Sequence, residues 1–175
     1  MILFILTIIA RLIPHPANMT PLVVTALIAG TYSNRLYGYC ALLGSLLVSD
    51  ILLGMIQHHA IFGLWSLFTY SGVLIISYPS QYLSRAFTHS KITHVLLGGI
   101  FYWAWTNLSS WLSMYTIDWT GFMACYINAL PFLHNQLIGD TICLIAWIIT
   151  LNININQSKE RSPWTPKSST HSENT

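Results

Sequence analysis

Residues 37–56 read YGYCALLGSLLVSDILLGMI and carry a single charged side chain, Asp50. A helix of about 20 residues spans roughly 30 Å, the thickness of the hydrocarbon core of a bilayer. An ionisable group inside such a segment costs a few kcal/mol, about 2.5–3.5 on insertion scales, so it needs a partner or a functional role. The stretch therefore predicts a transmembrane helix that carries a polar site.

The composition of the whole chain points the same way. Hydrophobic residues make up 54% of the 175 residues and charged residues only 7%, whereas soluble domains carry about 25% charged residues. The formal net charge of +2 is too small and too scattered to indicate binding to nucleic acid. We therefore expect a polytopic membrane protein, in contact with membrane lipid, and no nucleic-acid partner.

Apolar runs extend this reading along the chain. They predict an all-α fold, a compact bundle of about six transmembrane helices in one domain over residues 1–156. The N-terminal run has no basic leader and no small-residue cleavage site, so we read it as a retained first span rather than a signal peptide. Residues 157–175 are polar and rich in Ser, Thr and Pro, which predicts a disordered cytoplasmic tail. The predicted spans are 1–13, 20–34, 37–56, 61–79, 92–113 and 136–154.

Basic residues indicate the orientation of these spans. If both termini are cytoplasmic, the inner loops and tail hold six Lys or Arg residues, and the outer side holds at most Arg11. This asymmetry follows the positive-inside rule. It predicts a multi-pass membrane protein with an even number of spans and both termini cytoplasmic. The stretch 114–135 between the last two spans is apolar, and we expect an interfacial or re-entrant helix there.

Polar residues within this topology gather toward the outer side, with aromatic rings nearby. A half-apolar pocket with a few polar groups is typical of a small-molecule site. Simpler roles stay open: Arg11 with Asp50 or Asp140 as a structural ion pair, Asp140 at a helix N-terminus, and Asn107 as a bridge between helices. The predicted ligand-binding residues are Arg11, Asn18, Asp50, Trp105, Asn107, Trp111, Asn128 and Asp140.

Motifs for catalysis and metal binding are missing from the sequence. It contains no HExxH, no GxSxG and no P-loop, so we expect no enzyme, and any ATP coupling requires another subunit. The three cysteines match no zinc or redox spacing, and no cofactor is expected.

Small residues recur every four positions in two predicted spans. Ala41, Ser45 and Ser49 do so in the third span, and Ala26 and Gly30 in the second. Such spacing lets helix backbones approach closely. It indicates either packing inside the bundle or docking of another membrane subunit.

The stretch RLIPHPANMTPLVVTALIAGTYSNRLYGYCALLGSLLVSDILLG, residues 11–54, carries a family resemblance. Together with the later pieces FYWAWTNLSSWL and TGFMACYINALPFLHNQLIGD, it resembles an uncharacterised family of bacterial six-span membrane proteins. That family in turn is similar to the substrate-binding S components of energy-coupling factor (ECF) vitamin transporters. S components capture a vitamin or related micronutrient from outside and dock on a transmembrane coupling subunit driven by ATPase subunits.

The resemblance implies a substrate-binding subunit of a small-molecule importer, located in the bacterial inner membrane. Two other hypotheses stay open from the residues themselves. One is a non-transport scaffold or assembly protein, in which the buried polar groups only lock helix packing. The other is a stand-alone ion-coupled carrier that uses Asp50 or Asp140 as its titrating group.

Overall fold

The computed structural model describes residues 2–14, 16–31, 34–58, 60–83 and 88–160. Every regular element in these ranges is a helix, as the sequence predicts. The helices in chain order are α1 (Ile2–Leu12), α2 (Leu22–Gly30), α3 (Arg35–Gln57), α4 (Leu64–Leu83), α5 (Thr88–Met114), α6 (Trp119–Asn128) and α7 (Leu130–Glu160). By internal contacts the chain forms one compact unit up to Leu144 and a second from Ile145 onward.

Helix α2 is the centre of the first unit. All nine of its residues are buried, and it packs against α1, α3, α4 and α5. Apolar side chains such as Val23 and Val24 are fully enclosed, because a helix that is hydrophobic all round must be surrounded. At about 1.5 Å per residue α2 is only about 13 Å long.

The closest helix contact lies where α2 meets α4. A Cβ atom on Gly30 would clash with the hydroxyl of Ser80 and with the backbone carbonyl of Ser77. Absence of a side chain at position 30 therefore sets the distance between the two helices. Ala26 in α2 and Ser45 and Ser49 in α3 are buried as well, so these small residues serve packing inside the bundle.

Local signals explain where several helices begin. The Asn34 side chain accepts a hydrogen bond of 3.2 Å from the Tyr37 backbone N–H and caps α3. The Asp118 side chain caps α6 by accepting from the Gly121 N–H at 2.6 Å. Helix α7 carries Pro131 in its first turn, where a missing N–H costs nothing.

Helix lengths and apolarity support the predicted membrane topology only in part. Within the described ranges two segments are long and apolar enough to cross a bilayer, Leu36–Gln57 and Leu130–Thr150. Two such helices are a weak indication of membrane association, and six spans are not supported. Helices α1 and α2 are too short to cross on their own.

One predicted helix start needs correction. The last helix begins at Leu130 rather than near 136, and the stretch 114–135 contains α6 together with the start of α7. Helix α7 continues to Glu160. Residues 161–175 of the predicted tail lie outside the described residues.

Candidate functional site

An ion pair joins three helices at one end of the bundle. Arg11 in the last turn of α1 donates to the Asp50 carboxylate of α3 at 2.6 Å and to the Ser49 hydroxyl at 2.6 Å. The Tyr70 hydroxyl of α4 donates to the other carboxylate oxygen at 2.9 Å. The Arg11 and Asp50 side chains are only 12% and 15% exposed. The predicted pairing of Arg11 with Asp50 is therefore present, with both charges largely shielded from solvent.

A cavity of about 610 Å³ lies beside this pair. Its volume falls in the range of small-molecule sites, about 300–1,000 Å³. Its wall mixes amide and hydroxyl groups with apolar and aromatic surface, and Arg11 is the one charged side chain among its described lining residues. The wall is formed by Arg11, Ala17, Asn18, Thr20, Leu22, Leu53, Gln57, Trp65, Thr69, Tyr102, Thr106, Asn107, Ser109, Ser110, Phe132 and Gln136.

A smaller cavity of about 210 Å³ adjoins the same pair. It shares Arg11, Leu53, Trp65 and Thr69 with the larger cavity. Asp50 lines the smaller one only. Asp50 therefore holds the Arg11 guanidinium in position and balances its charge without lining the larger cavity itself.

Many polar groups of the larger cavity direct their hydrogens into the protein. The Thr106 hydroxyl donates to the Tyr102 carbonyl at 2.9 Å, and the Ser109 hydroxyl donates to the Thr106 carbonyl at 2.7 Å. The Asn107 amide donates to the Trp103 carbonyl at 2.7 Å. Such back-bonding to the helix uses donor hydrogens and leaves oxygen lone pairs free to accept.

A second amide of the cavity wall, that of Gln136, is bonded in the same way. Gln136 of α7 is buried and donates to the Gly99 carbonyl of α5 at 3.0 Å. Next to it, Asn135 donates to the Ala17 carbonyl at 3.1 Å. These bonds hold the first turns of α7 against α5 and against the loop before α2.

Asp140 has a different environment from the one predicted. It lies in the third turn of α7, is 0% exposed, and does not line either cavity. Its Oδ1 accepts a 3.3 Å hydrogen bond from the Val24 backbone N–H, while Oδ2 has no hydrogen-bond partner in the described structure. Val24 is the third residue of α2, whose own N-cap, Pro21, offers no side-chain bond. Asp140 therefore caps α2 from another helix.

The other predicted residues divide into two groups. Arg11, Asn18 and Asn107 line the 610 Å³ cavity. Trp105, Trp111 and Asn128 do not, and each makes contacts elsewhere. Trp105 donates to the Ser71 hydroxyl at 3.0 Å, Trp111 to the Thr116 carbonyl at 3.1 Å, and Asn128 to the Tyr115 hydroxyl at 3.4 Å.

Sequence reasoning missed most of the hydroxyl groups of the cavity. On α5, Tyr102, Thr106, Ser109 and Ser110 line it. Their spacing of four, seven and eight residues places them on one helix face, and this periodicity was a usable signal. Gln136, four residues before Asp140, could have been found in the same way.

Asp118 belongs to the connection before α6 and lies away from the cavity. Its Oδ1 accepts from the Gly121 N–H and from the hydroxyls of Thr116 and Thr120, both at 2.9 Å. These bonds, that of Gly121 first, lower the pKa of Asp118 below its ordinary value. The described residues contain no cluster of three or more His, Cys, Asp or Glu side chains that could hold a metal ion.

The fold and the site together define an all-α bundle with a partly open polar cavity beside a shielded ion pair. The chain belongs to the family of unknown function DUF6580, whose model matches residues 1–157. This match agrees with the expected uncharacterised family and carries no link to ECF S components. No curated protein and no solved structure matches the chain.

Proposed function

We propose that this protein is a membrane subunit that binds a small polar molecule in the 610 Å³ cavity and presents it for import. The observation that carries the proposal is the cavity itself, because in a chain this apolar its wall is rich in amides and hydroxyls. Polar groups inside a membrane protein are costly, and they mark a ligand or ion pathway when they converge on one space.

The distribution of apolar and polar side chains supports placement in a bilayer. Buried positions include Ser45, Ser77 and Gln136, whereas large apolar side chains point outward from several helices. In water such an exterior would be an aggregation hazard, but in lipid it is the expected surface. Exposed apolar residues on α3, α4, α5 and α7 include Leu47, Val48, Met55, Leu67, Ile75, Leu96, Leu97, Ile100, Ile138 and Ile142.

The proposed topology is a multi-pass arrangement in which α3, α4, α5 and α7 cross the membrane. Helices α4 and α5 have 20 and 27 residues, enough to span about 30 Å. Helices α1 and α2 would form a short hairpin enclosed by the others. The number of crossings stays even, so both termini lie on the same side of the membrane. The bias of Lys and Arg assigns that side to the cytoplasm. The protein would then reside in the inner membrane of a bacterium.

Ligand binding is assigned to Arg11, Asn18 and Asn107, together with the hydroxyl face of α5. Asp50 contributes by holding Arg11 in position, and Asp140 contributes by capping the start of α2. Because the chain lacks a P-loop, import would require a transmembrane coupling subunit and ATPase subunits, as the resemblance to S components implies.

The proposal is tested by purifying the protein in mild detergent and identifying co-purifying small molecules by mass spectrometry. We expect a stoichiometric metabolite that the Asn107→Leu variant loses and the Asn128→Leu variant keeps, because only Asn107 lines the cavity. The same protein reconstituted alone in liposomes should bind the metabolite without accumulating it. Accumulation driven by a proton gradient would instead support the stand-alone carrier.

The scaffold hypothesis is the second candidate, and the two buried carboxylates favour it. Asp50 links α1, α3 and α4, and Asp140 links α7 to α2, so both have structural partners. A protein that yields no bound metabolite and gains no thermal stability from a metabolite extract would support this candidate over the binding subunit.

A further inference from the structure

The charges at the 610 Å³ cavity are balanced by groups of the protein itself. The positive guanidinium of Arg11 is paired with Asp50 at 2.6 Å. The other positive feature at the wall is the N-terminus of α2, because Thr20 and Leu22 line the cavity. A helix N-terminus carries about half a positive charge.

The Asp140 carboxyl already occupies that helix end. Its Oδ1 accepts from the Val24 N–H, and the side chain is entirely enclosed and absent from the cavity wall. A helix N-terminus attracts hydrogen-bond acceptors, and here an acceptor of the protein itself fills that role. The guanidinium and the start of α2 therefore each have a carboxyl group of the protein as partner, outside the larger cavity.

The α5 hydroxyls of the wall are available to a ligand as acceptors. The Thr106 and Ser109 hydroxyls each donate their single hydrogen to a backbone carbonyl, so their oxygens are left to accept. The Asn107 and Gln136 amides each use one of two N–H groups in the same way and keep a carbonyl oxygen that can accept. These acceptors favour a ligand that offers N–H or O–H groups.

We infer that the cavity takes a molecule without net charge that bears several N–H or O–H donors and an apolar face. The apolar face would lie against Trp65 and Phe132, which line the same space. An anion would add a second negative charge beside a guanidinium that Asp50 already neutralises, and a cation would face the guanidinium without a carboxylate on the cavity wall. This inference rests on the proposed function and adds the chemical class of the ligand.

The test uses a metabolite extract separated by ion exchange into anionic, cationic and uncharged pools. Each pool is added to the purified full-length protein, and bound mass is read by native mass spectrometry together with the thermal unfolding midpoint. We expect binding and stabilisation from the uncharged pool alone. Repeating the measurement in D₂O counts the exchangeable hydrogens of the bound molecule, and we expect at least two.

A pair of matched variants tests the charge balance directly. Asn107→Asp places an uncompensated carboxylate on the wall, and we expect it to weaken binding of the retained molecule at least ten-fold. Asn128→Asp adds the same charge at an exposed position away from the cavity and should leave binding unchanged. If Asn107→Asp does not fold, Ser110→Ala, which removes one wall hydroxyl, should weaken binding measurably.

Each outcome has one meaning. A singly charged ligand from the anionic or cationic pool, with the uncharged pool inactive, would overturn this inference and leave the binding function intact. A bound molecule without exchangeable hydrogens would overturn it as well. Absence of binding from all three pools would overturn the proposed function and this inference with it.

Discussion

Breaking the pair between Arg11 and Asp50 should destabilise the protein far more when one partner is removed than when both are. The N–O distance is 2.6 Å and both side chains are at most 15% exposed. A single replacement, Arg11→Met or Asp50→Asn, therefore leaves the other charge uncompensated in a shielded site. Removal of one partner of a buried pair costs about 3–5 kcal/mol.

We take about 3 kcal/mol for each single variant, the lower end of that range, because partners remain. Asp50 keeps the Tyr70 hydroxyl at 2.9 Å, and Arg11 keeps the Ser49 hydroxyl. For a chain of this size 1 kcal/mol corresponds to about 2–4 °C in the unfolding midpoint, so each variant should lose about 6–12 °C. The double variant has no uncompensated charge, and the two effects should fall short of additivity by about 2 kcal/mol or more.

The assay is thermal unfolding of the purified protein in detergent, followed by the fluorescence of its seven tryptophans. Tyr70→Phe is the graded control, because it removes one hydrogen bond and leaves both charges. It should cost about 1–3 kcal/mol. Single variants within 2 °C of the parent protein, or strictly additive effects in the double variant, would refute the view that this pair is shielded and coupled.

Three further outcomes follow from the packing and capping contacts. Gly30→Ala forces a methyl group into the contact between α2 and α4; it should cost about 1–3 kcal/mol of stability and lower the unfolding midpoint. Gly44→Ala is the control, because its methyl group meets nothing within 4 Å, and it should gain up to about 1 kcal/mol from helix propensity. Asp140→Ala removes the cap of α2 and should cost about 2 kcal/mol, and Asp140→Asn, which keeps one acceptor oxygen, should cost less. Carbon NMR titration of the Asp118 carboxyl should give a pKa below the ordinary value of an aspartate. Because the pKa is lower in the folded than in the unfolded protein, the ionised carboxylate contributes its full stabilisation above the unfolded pKa. That stabilisation is lost as the pH falls through the folded pKa.

Each of these outcomes has a contrary result. Equal effects of alanine at positions 30 and 44 would contradict the close approach of α2 and α4. An Asp140→Ala variant as stable as the parent would contradict the capping role. A pKa of Asp118 at or above the ordinary carboxyl value would contradict the three hydrogen bonds to its Oδ1.

Local patterns in the sequence were sufficient for much of the helix framework. The apolar run 37–56 corresponds to α3, Arg35–Gln57, and the run 92–113 to α5, Thr88–Met114. Arg11 and Asp50 were placed at one end of the bundle because charges in apolar runs require partners. The start of α7 was misjudged because Pro131 reads as a loop residue, although proline is favoured in a first helical turn.

Features that depend on contacts between residues far apart in the chain could not be predicted from local sequence patterns. Asp140 and Val24 are 116 positions apart, and no local pattern links a carboxylate on one helix to the start of another. The hydroxyl face of α5 was overlooked because Ser and Thr in apolar helices commonly bond to their own backbone. That bonding is present at Thr106 and Ser109, yet the same residues also line the cavity.

Native mass spectrometry of the protein released from detergent tests the central claim most directly, namely that the cavity holds a small molecule. The account predicts one bound molecule per chain in the parent protein and in Asn128→Leu, and its loss in Asn107→Leu, whose unfolding midpoint should match that of the ligand-free parent. A parent protein that stays at its bare mass after exposure to a metabolite extract would contradict the account. A ligand held equally by both variants would contradict the assignment of the site to this cavity.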